Sequence, residues 1–186
     1  MNYGLRSFPV LSPRLGMKRF RKRNASAIKP KVVLVADDDA DEVIFLQQAL
    51  ELSGLSQIIQ LQFVSHGGAA IDYLSGKPPF DDRNQAAIPD LVLLDLKMPG
   101  IDGFEVLNWV RSAPKFVRLP VIVRSASMVE TDRERAMRLG ANAFYIKKIG
   151  FLGDVTLLMD VAEQWLGVKK RISSQGRLLE RLRKES

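Results

Sequence analysis

One stretch restricts the fold more than any other: Asp90-Leu91-Val92-Leu93-Leu94-Asp95-Leu96-Lys97-Met98-Pro99-Gly100-Ile101-Asp102-Gly103. Its apolar core is too short for a buried helix and reads as a strand covered on both faces. The strand runs into a carboxylate, Asp95, and breaks at once into a Pro-Gly and Asp-Gly loop. An ionised carboxylate at the end of a buried strand is costly unless something pairs with it. The rest of the chain can therefore be searched for the partners of Asp95.

The length of 186 residues predicts one main domain with tails. No apolar run is long enough for a membrane span, and the N-terminus lacks a secretory pattern. The chain has no Cys, which excludes disulfides, thiolate metal sites and thiol nucleophiles. Its single His, His66, argues against a His-based metal centre or a Ser-His-Asp triad. These features predict a cytoplasmic protein. The net charge of +7 hides an asymmetry. Residues 1–30 carry +8, residues 31–166 carry −6, and residues 167–186 carry +5. An acidic central domain is thus expected over 31–167, between a basic flexible arm (1–30) and a basic C-terminal tail (168–186) with helical spacing over 174–185. Met17, just before the cluster Lys18-Arg19-Phe20-Arg21-Lys22-Arg23, is an alternative translation start.

Taken in order, the central region alternates strands and helices. Lys31–Ala36 reads as a strand followed by Asp37-Asp38-Asp39. Asp39 and Glu42 have capping-box spacing before a helix over about 40–53, which Gly54 closes. A strand over 58–64 leads to a helix opened by His66-Gly67-Gly68, and Ser75-Gly76 ends it. A long polar loop, 77–89, precedes the strand at 90–95. A helix over 103–112, a strand over 120–124 ending at Ser125, a helix over 129–139, a strand over 143–146 ending at Lys147, and a helix over 152–166 complete the pattern. Five βα units predict an α/β, doubly wound parallel sheet with helices on both faces.

Open parallel sheets bind ligands at the carboxyl ends of their strands. Those ends carry Asp37 and Asp38, Asp95, Ser125, and Lys147. Three clustered carboxylates repel unless a cation intervenes, and an all-oxygen donor set suits Mg²⁺. A hydroxyl and an ammonium on the same edge then call for an anion. A phosphoryl group on Asp95 satisfies metal, ammonium and hydroxyl together.

The motifs Val33–Asp38, Pro89–Gly103, Leu119–Ala126 and Gly140–Lys147, together and in this order, resemble the receiver domain of two-component response regulators. The loop 77–89 and the ending Ala162-Glu163-Gln164-Trp165-Leu166 are most similar to the stand-alone regulators that partner bacterial phytochrome-type histidine kinases. The resemblance implies a flavodoxin-like (βα)5 fold with strand order 2-1-3-4-5. It implies that Asp95 is the phosphoacceptor, and that Mg²⁺ is held by Asp37, Asp38, Asp95 and the backbone carbonyl of Lys97. Ser125 would be the switch hydroxyl, Lys147 the phosphoryl-binding cation, and Phe144 the aromatic that changes rotamer with Ser125. A histidine kinase, a downstream protein partner and a homodimer through the face of the fourth helix, fifth strand and fifth helix follow in the same way. No external substrate is turned over. Two departures stand out. Lys148 replaces the usual Pro after the Lys, which predicts a trans peptide there, and Arg124 and Lys148 add positive charge beside the pocket. Two other functions fit the sequence: a phosphorylation-independent binding module on the same fold, and a nucleic-acid or other polyanion binder acting through the basic tails.

Overall fold

A computed structural model describes residues 29–148 and 152–168. The expected basic arm and tail, and the helical spacing at 174–185, lie outside the described residues. Five strands, β1 (Lys31–Ala36), β2 (Ile59–Val64), β3 (Leu91–Leu94), β4 (Val121–Ser125) and β5 (Ala143–Ile146), form one sheet in the order β2-β1-β3-β4-β5. Every pairing is parallel, so each strand ends at the same edge. Five helices connect them: α1 (Ala40–Ser53), α2 (Gly67–Ser75), α3 (Gly103–Ser112), α4 (Glu130–Arg138) and α5 (Leu152–Gln164). The predicted flavodoxin-like order 2-1-3-4-5 is the observed one.

Two apolar layers explain the continuous hydrophobic runs of the central strands. Side chains alternate across a sheet. Leu34, Val92, Leu94, Val121 and Val123 face α2 and α3, with Ala136 of α4 joining them. Val33, Val35, Leu91, Leu93 and Ile122 face α1 and α5 through Leu46, Ala49, Leu158 and Val161. Each fully buried Leu or Ile contributes about 1.5–3 kcal/mol. The same alternation sends Arg124, in step with Ile122, toward the α1 and α5 layer, and Ser125, in step with Val123, toward the other side.

Helix ends are set by local chemistry. Gly54 closes α1 at φ 71°, as expected from the sequence, and His66 caps α2 by accepting from the Ala69 N–H at 3.0 Å. The expected pairing of Asp39 with Glu42 does not form. Asp39 accepts from the Asp41 N–H at 2.9 Å, and Glu42 is drawn away by Arg124. A full capping box occurs instead at α3, where Asp102 accepts from the Glu105 N–H at 2.8 Å and Glu105 accepts from the Asp102 N–H at 3.0 Å. Such a cap is worth about 0.5–2 kcal/mol. The long loop 77–89 is pinned by Arg83, which donates to the Tyr73, Leu74 and Ala86 carbonyls, and by the Tyr73 hydroxyl donating to the Ala87 carbonyl at 2.9 Å.

Gly103 lets α3 start against the end of β3. A Cβ there would lie 2.1 Å from the Asp95 carbonyl oxygen and 2.7 Å from the Leu96 Cα, both backbone atoms that cannot swing aside. Gly103→Ala should therefore lower the unfolding free energy by about 1–3 kcal/mol. Urea denaturation checks this, with Gly100→Ala as a spatial contrast because a Cβ at Gly100 meets no neighbour, although its φ of 75° carries its own strain.

Candidate functional site

The ladder of backbone hydrogen bonds continues past the strands and fixes the groups that follow them. The Asp37 N–H donates to the Val64 carbonyl at 3.0 Å, the Asp95 N–H to the Ala36 carbonyl at 2.9 Å, and the Lys147 N–H to the Ser125 carbonyl at 2.9 Å. Asp37, Asp38, Asp95, Ser125 and Lys147 are thereby brought to one edge by the sheet itself. Asp37, Asp95 and Ser125 are buried, while Asp38 is exposed.

Carboxylate oxygens from Asp37, Asp38 and Asp95 lie within 4.8 Å of one another. The Lys147 ammonium bridges two of these acids, 2.8 Å from Asp37 Oδ2 and 3.0 Å from Asp95 Oδ2. Asp95 Oδ1 accepts from its own loop, at 2.6 Å from the Leu96 N–H and 3.4 Å from the Lys97 N–H. Three hard oxygen donors, two rigid and one solvent-facing, suit a small divalent cation that keeps part of its water shell. The donor set therefore fits Mg²⁺. The Lys97 side chain is exposed. The Lys147–Lys148 peptide is trans, as the replacement of Pro predicts, and Lys148 is exposed.

Ser125 is fully buried, and its hydroxyl accepts a long bond of 3.3 Å from the Ser127 N–H. Its proton has no acceptor among the described residues, so this hydroxyl is a spare donor. Ser127 in turn donates to Asp132 of α4 at 2.5 Å, which joins the segment after β4 to the next helix. Phe144 packs on the layer containing α2, α3 and α4, on the Ser125 side of the sheet.

Arg124 adds positive charge beside the pocket, as expected, but does so from the interior. It is only 2% exposed and meets the acid cluster at Asp37 rather than at the edge where Ser125 lies. Its guanidinium lies under the α1 and α5 layer and is shared by three acids. It donates to Asp37 Oδ2 at 3.3 Å, to Asp154 Oδ1 at 2.7 and 3.0 Å, and to Glu42 Oε2. The physical reason is strand parity, since adjacent side chains of β4 must point to opposite faces. A lone Arg inside an apolar strand is a legible sign of buried counter-ions, and Glu42 stood within reach on α1. Nothing local marks Asp154, which α5 brings from thirty residues away.

Burial raises the Asp37 carboxyl above the ordinary carboxylate range, with Lys147 opposing the rise. Burial also raises Asp154, against Arg124. For the two cations burial pulls the other way. It opposes the charge on Lys147, but Asp37 and Asp95 outweigh it and lift the pKa above the usual 10.5. Asp154 and Glu42 likewise outweigh burial at Arg124 and raise it. Because the folded pKa of Lys147 exceeds the unfolded one, its stabilisation is fully present below pH 10.5 and is lost as pH rises through the folded value. Lys147→Met should cost about 3–5 kcal/mol at neutral pH, since it leaves the buried Asp95 without its cation and Asp37 with Arg124 alone. Denaturation curves of the two proteins should converge as pH climbs above 10.5.

Comparisons with known proteins agree with this geometry. The response regulator receiver domain family matches residues 33–152. Response regulator Rcp1 of Synechocystis sp. is 28% identical over 137 residues, 74% of this chain and 90% of that one. The phosphorylated cyanobacterial phytochrome response regulator RcpA superposes with a TM-score of 0.67 at 28% identity, over 76% of this chain and 97% of that one. The Mn²⁺-bound form of response regulator Rcp1 does so with a TM-score of 0.65 at 26% identity, over 78% and 100%. Among the described residues no helix is long and apolar enough to cross a membrane. With the parallel order 2-1-3-4-5, the acid cluster at one sheet edge and a family match over most of its length, this chain belongs to the response regulator receiver domain family.

Proposed function

We propose that the chain works as a phosphorylation-switched receiver that takes a phosphoryl group from a histidine kinase onto Asp95. The observation that carries this reading is the Lys147 ammonium bridging Asp37 and Asp95 beside Asp38. Such a cluster is built for an anion that arrives with a cation. In the transfer, an Asp95 carboxylate oxygen forms a bond to phosphorus. The phosphorus–nitrogen bond of the phosphohistidine breaks, and the imidazole nitrogen leaves with the electron pair. Asp37, Asp38, Asp95 and the Lys97 carbonyl would hold Mg²⁺, which supplies charge neutralisation for the phosphoryl oxygens. Lys147 neutralises a further oxygen as a point charge. The spare proton of Ser125 is the hydrogen-bond donor that follows the new anion, and Phe144 turns into the space this opens.

The relatives support this reading: RcpA was solved phosphorylated and Rcp1 with Mn²⁺. RcpA is a phytochrome response regulator, which favours a phytochrome-type kinase as donor. The receiver turns over no external substrate and signals by protein contacts. Met128 and Val129 before and at the start of α4, Met137 of α4 and Ile146 of β5 are exposed apolar groups suited to such a contact.

Intact-mass measurement with acetyl phosphate and Mg²⁺ should show a gain of one phosphoryl group. The gain should vanish in Asp95→Asn and when the cation is removed by a chelator. No gain with a small donor or a cognate kinase would overturn the proposal and favour a phosphorylation-independent module.

A further inference from the structure

Asp37 is held by two cations, Lys147 and Arg124. Lys147 reaches it from the pocket. Arg124 reaches it from beneath, where the guanidinium is also shared by Glu42 of α1 and Asp154 of α5. The switch chemistry proposed above uses Lys147 but gives Arg124 no part. A buried guanidinium at 3.3 Å from a metal-binding carboxylate cannot be neutral to that metal. It draws electron density from Asp37 and repels a second positive charge on the same group, in a region where water screens poorly.

We propose that Arg124 is a positioning residue that tunes the divalent-cation site through Asp37, holding the affinity down while keeping the carboxylate oriented. Glu42 and Asp154 set the strength of this effect, because each draws Arg124 away from Asp37. The helix pair α1 and α5 is thereby joined to the cation site through one shared charge. Any shift of α5 that loosens the Arg124–Asp154 contact delivers more positive charge to Asp37 and weakens cation binding. By reciprocity, cation binding favours the arrangement in which Arg124 leans on the helices.

This inference rests on the cation site formed by Asp37, Asp38 and Asp95, and the experiment separates the two. Mg²⁺ binding is measured by calorimetry, and Mn²⁺ binding by water-proton relaxation, on the full chain without any phosphodonor. Wild-type protein should bind one ion, and Asp38→Asn should abolish or greatly weaken binding. Arg124→Met should then bind about 10-fold more tightly, the scale set by removing one charge close to a ligand. Arg124→Lys, which keeps the charge, should return the affinity to within about 3-fold of wild type. Glu42→Gln, at a partly solvent-exposed position, should bind more weakly than wild type. A purely structural role for Arg124 would lower the resistance to urea and leave all these affinities unmoved. Unchanged or weaker binding in Arg124→Met overturns the tuning role while leaving the site intact. Should Arg124→Met fail to fold, unchanged binding in Glu42→Gln overturns it instead. Absence of any ion binding by the wild type overturns the site and its tuning together.

Discussion

Two buried carboxylates at the ends of adjacent strands cannot both stay ionised without cations, and the described structure supplies them from within the chain. Lys147 spans Asp37 and Asp95 from the pocket edge, and Arg124 holds Asp37 from under the α1 and α5 layer. The cost of desolvating these acids is thus offset by neighbours that are themselves buried and charged. The helices are committed by the same interaction. Arg124 stays charged under the α1 and α5 layer, so its N–H donors need acids there, and Glu42 and Asp154 come from those two helices. The site and the packing of one whole face therefore share a single electrostatic account.

Precision at the site comes from backbone rather than from side chains. The amides of Asp37, Asp95 and Lys147 each bond to the carbonyl of a neighbouring strand, so the acids and the ammonium cannot drift apart without breaking the sheet. Gly103 lets the capped start of α3 press on the Asp95 carbonyl, which holds the acceptor loop from its other side. Against this rigid frame, Ser125 and Ser127 are linked by one long bond and have a spare proton between them. The contrast suits a switch, in which a fixed charge constellation meets one element with two stable arrangements. Ser127 and Asp132 give that element a direct connection to α4.

Much of this was legible in the residues. Val33–Ala36 and Leu91–Leu94 are uninterrupted apolar runs because they are covered on both faces, and that requirement alone separates central parallel strands from half-exposed ones. His66 was readable as the start of α2 from the glycines after it, and Gly54 as the end of α1. The charge logic of Asp37, Asp38, Asp95, Ser125 and Lys147 followed from where each strand stopped. Spacing misled at α1. Asp39 and Glu42 have the right interval for a reciprocal cap, but a buried guanidinium takes Glu42, and the Asp39 N–H donates to Asp37 Oδ1 at 3.2 Å instead.

Sequence by itself determined the alternation of strands and helices, the family, the strand order that the resemblance implied and the set of groups at the carboxyl edge. Each is written in local pattern, since hydrophobic period and turn residues act over a few positions. Tertiary structure alone decided what faces what. Strand parity buried Arg124 beneath the pocket against Asp37, and the packing of α5 against α1 brought Asp154 to it. The number and distance of the acids that share one buried cation depend on how three separate elements meet, and no interval along the chain records that meeting.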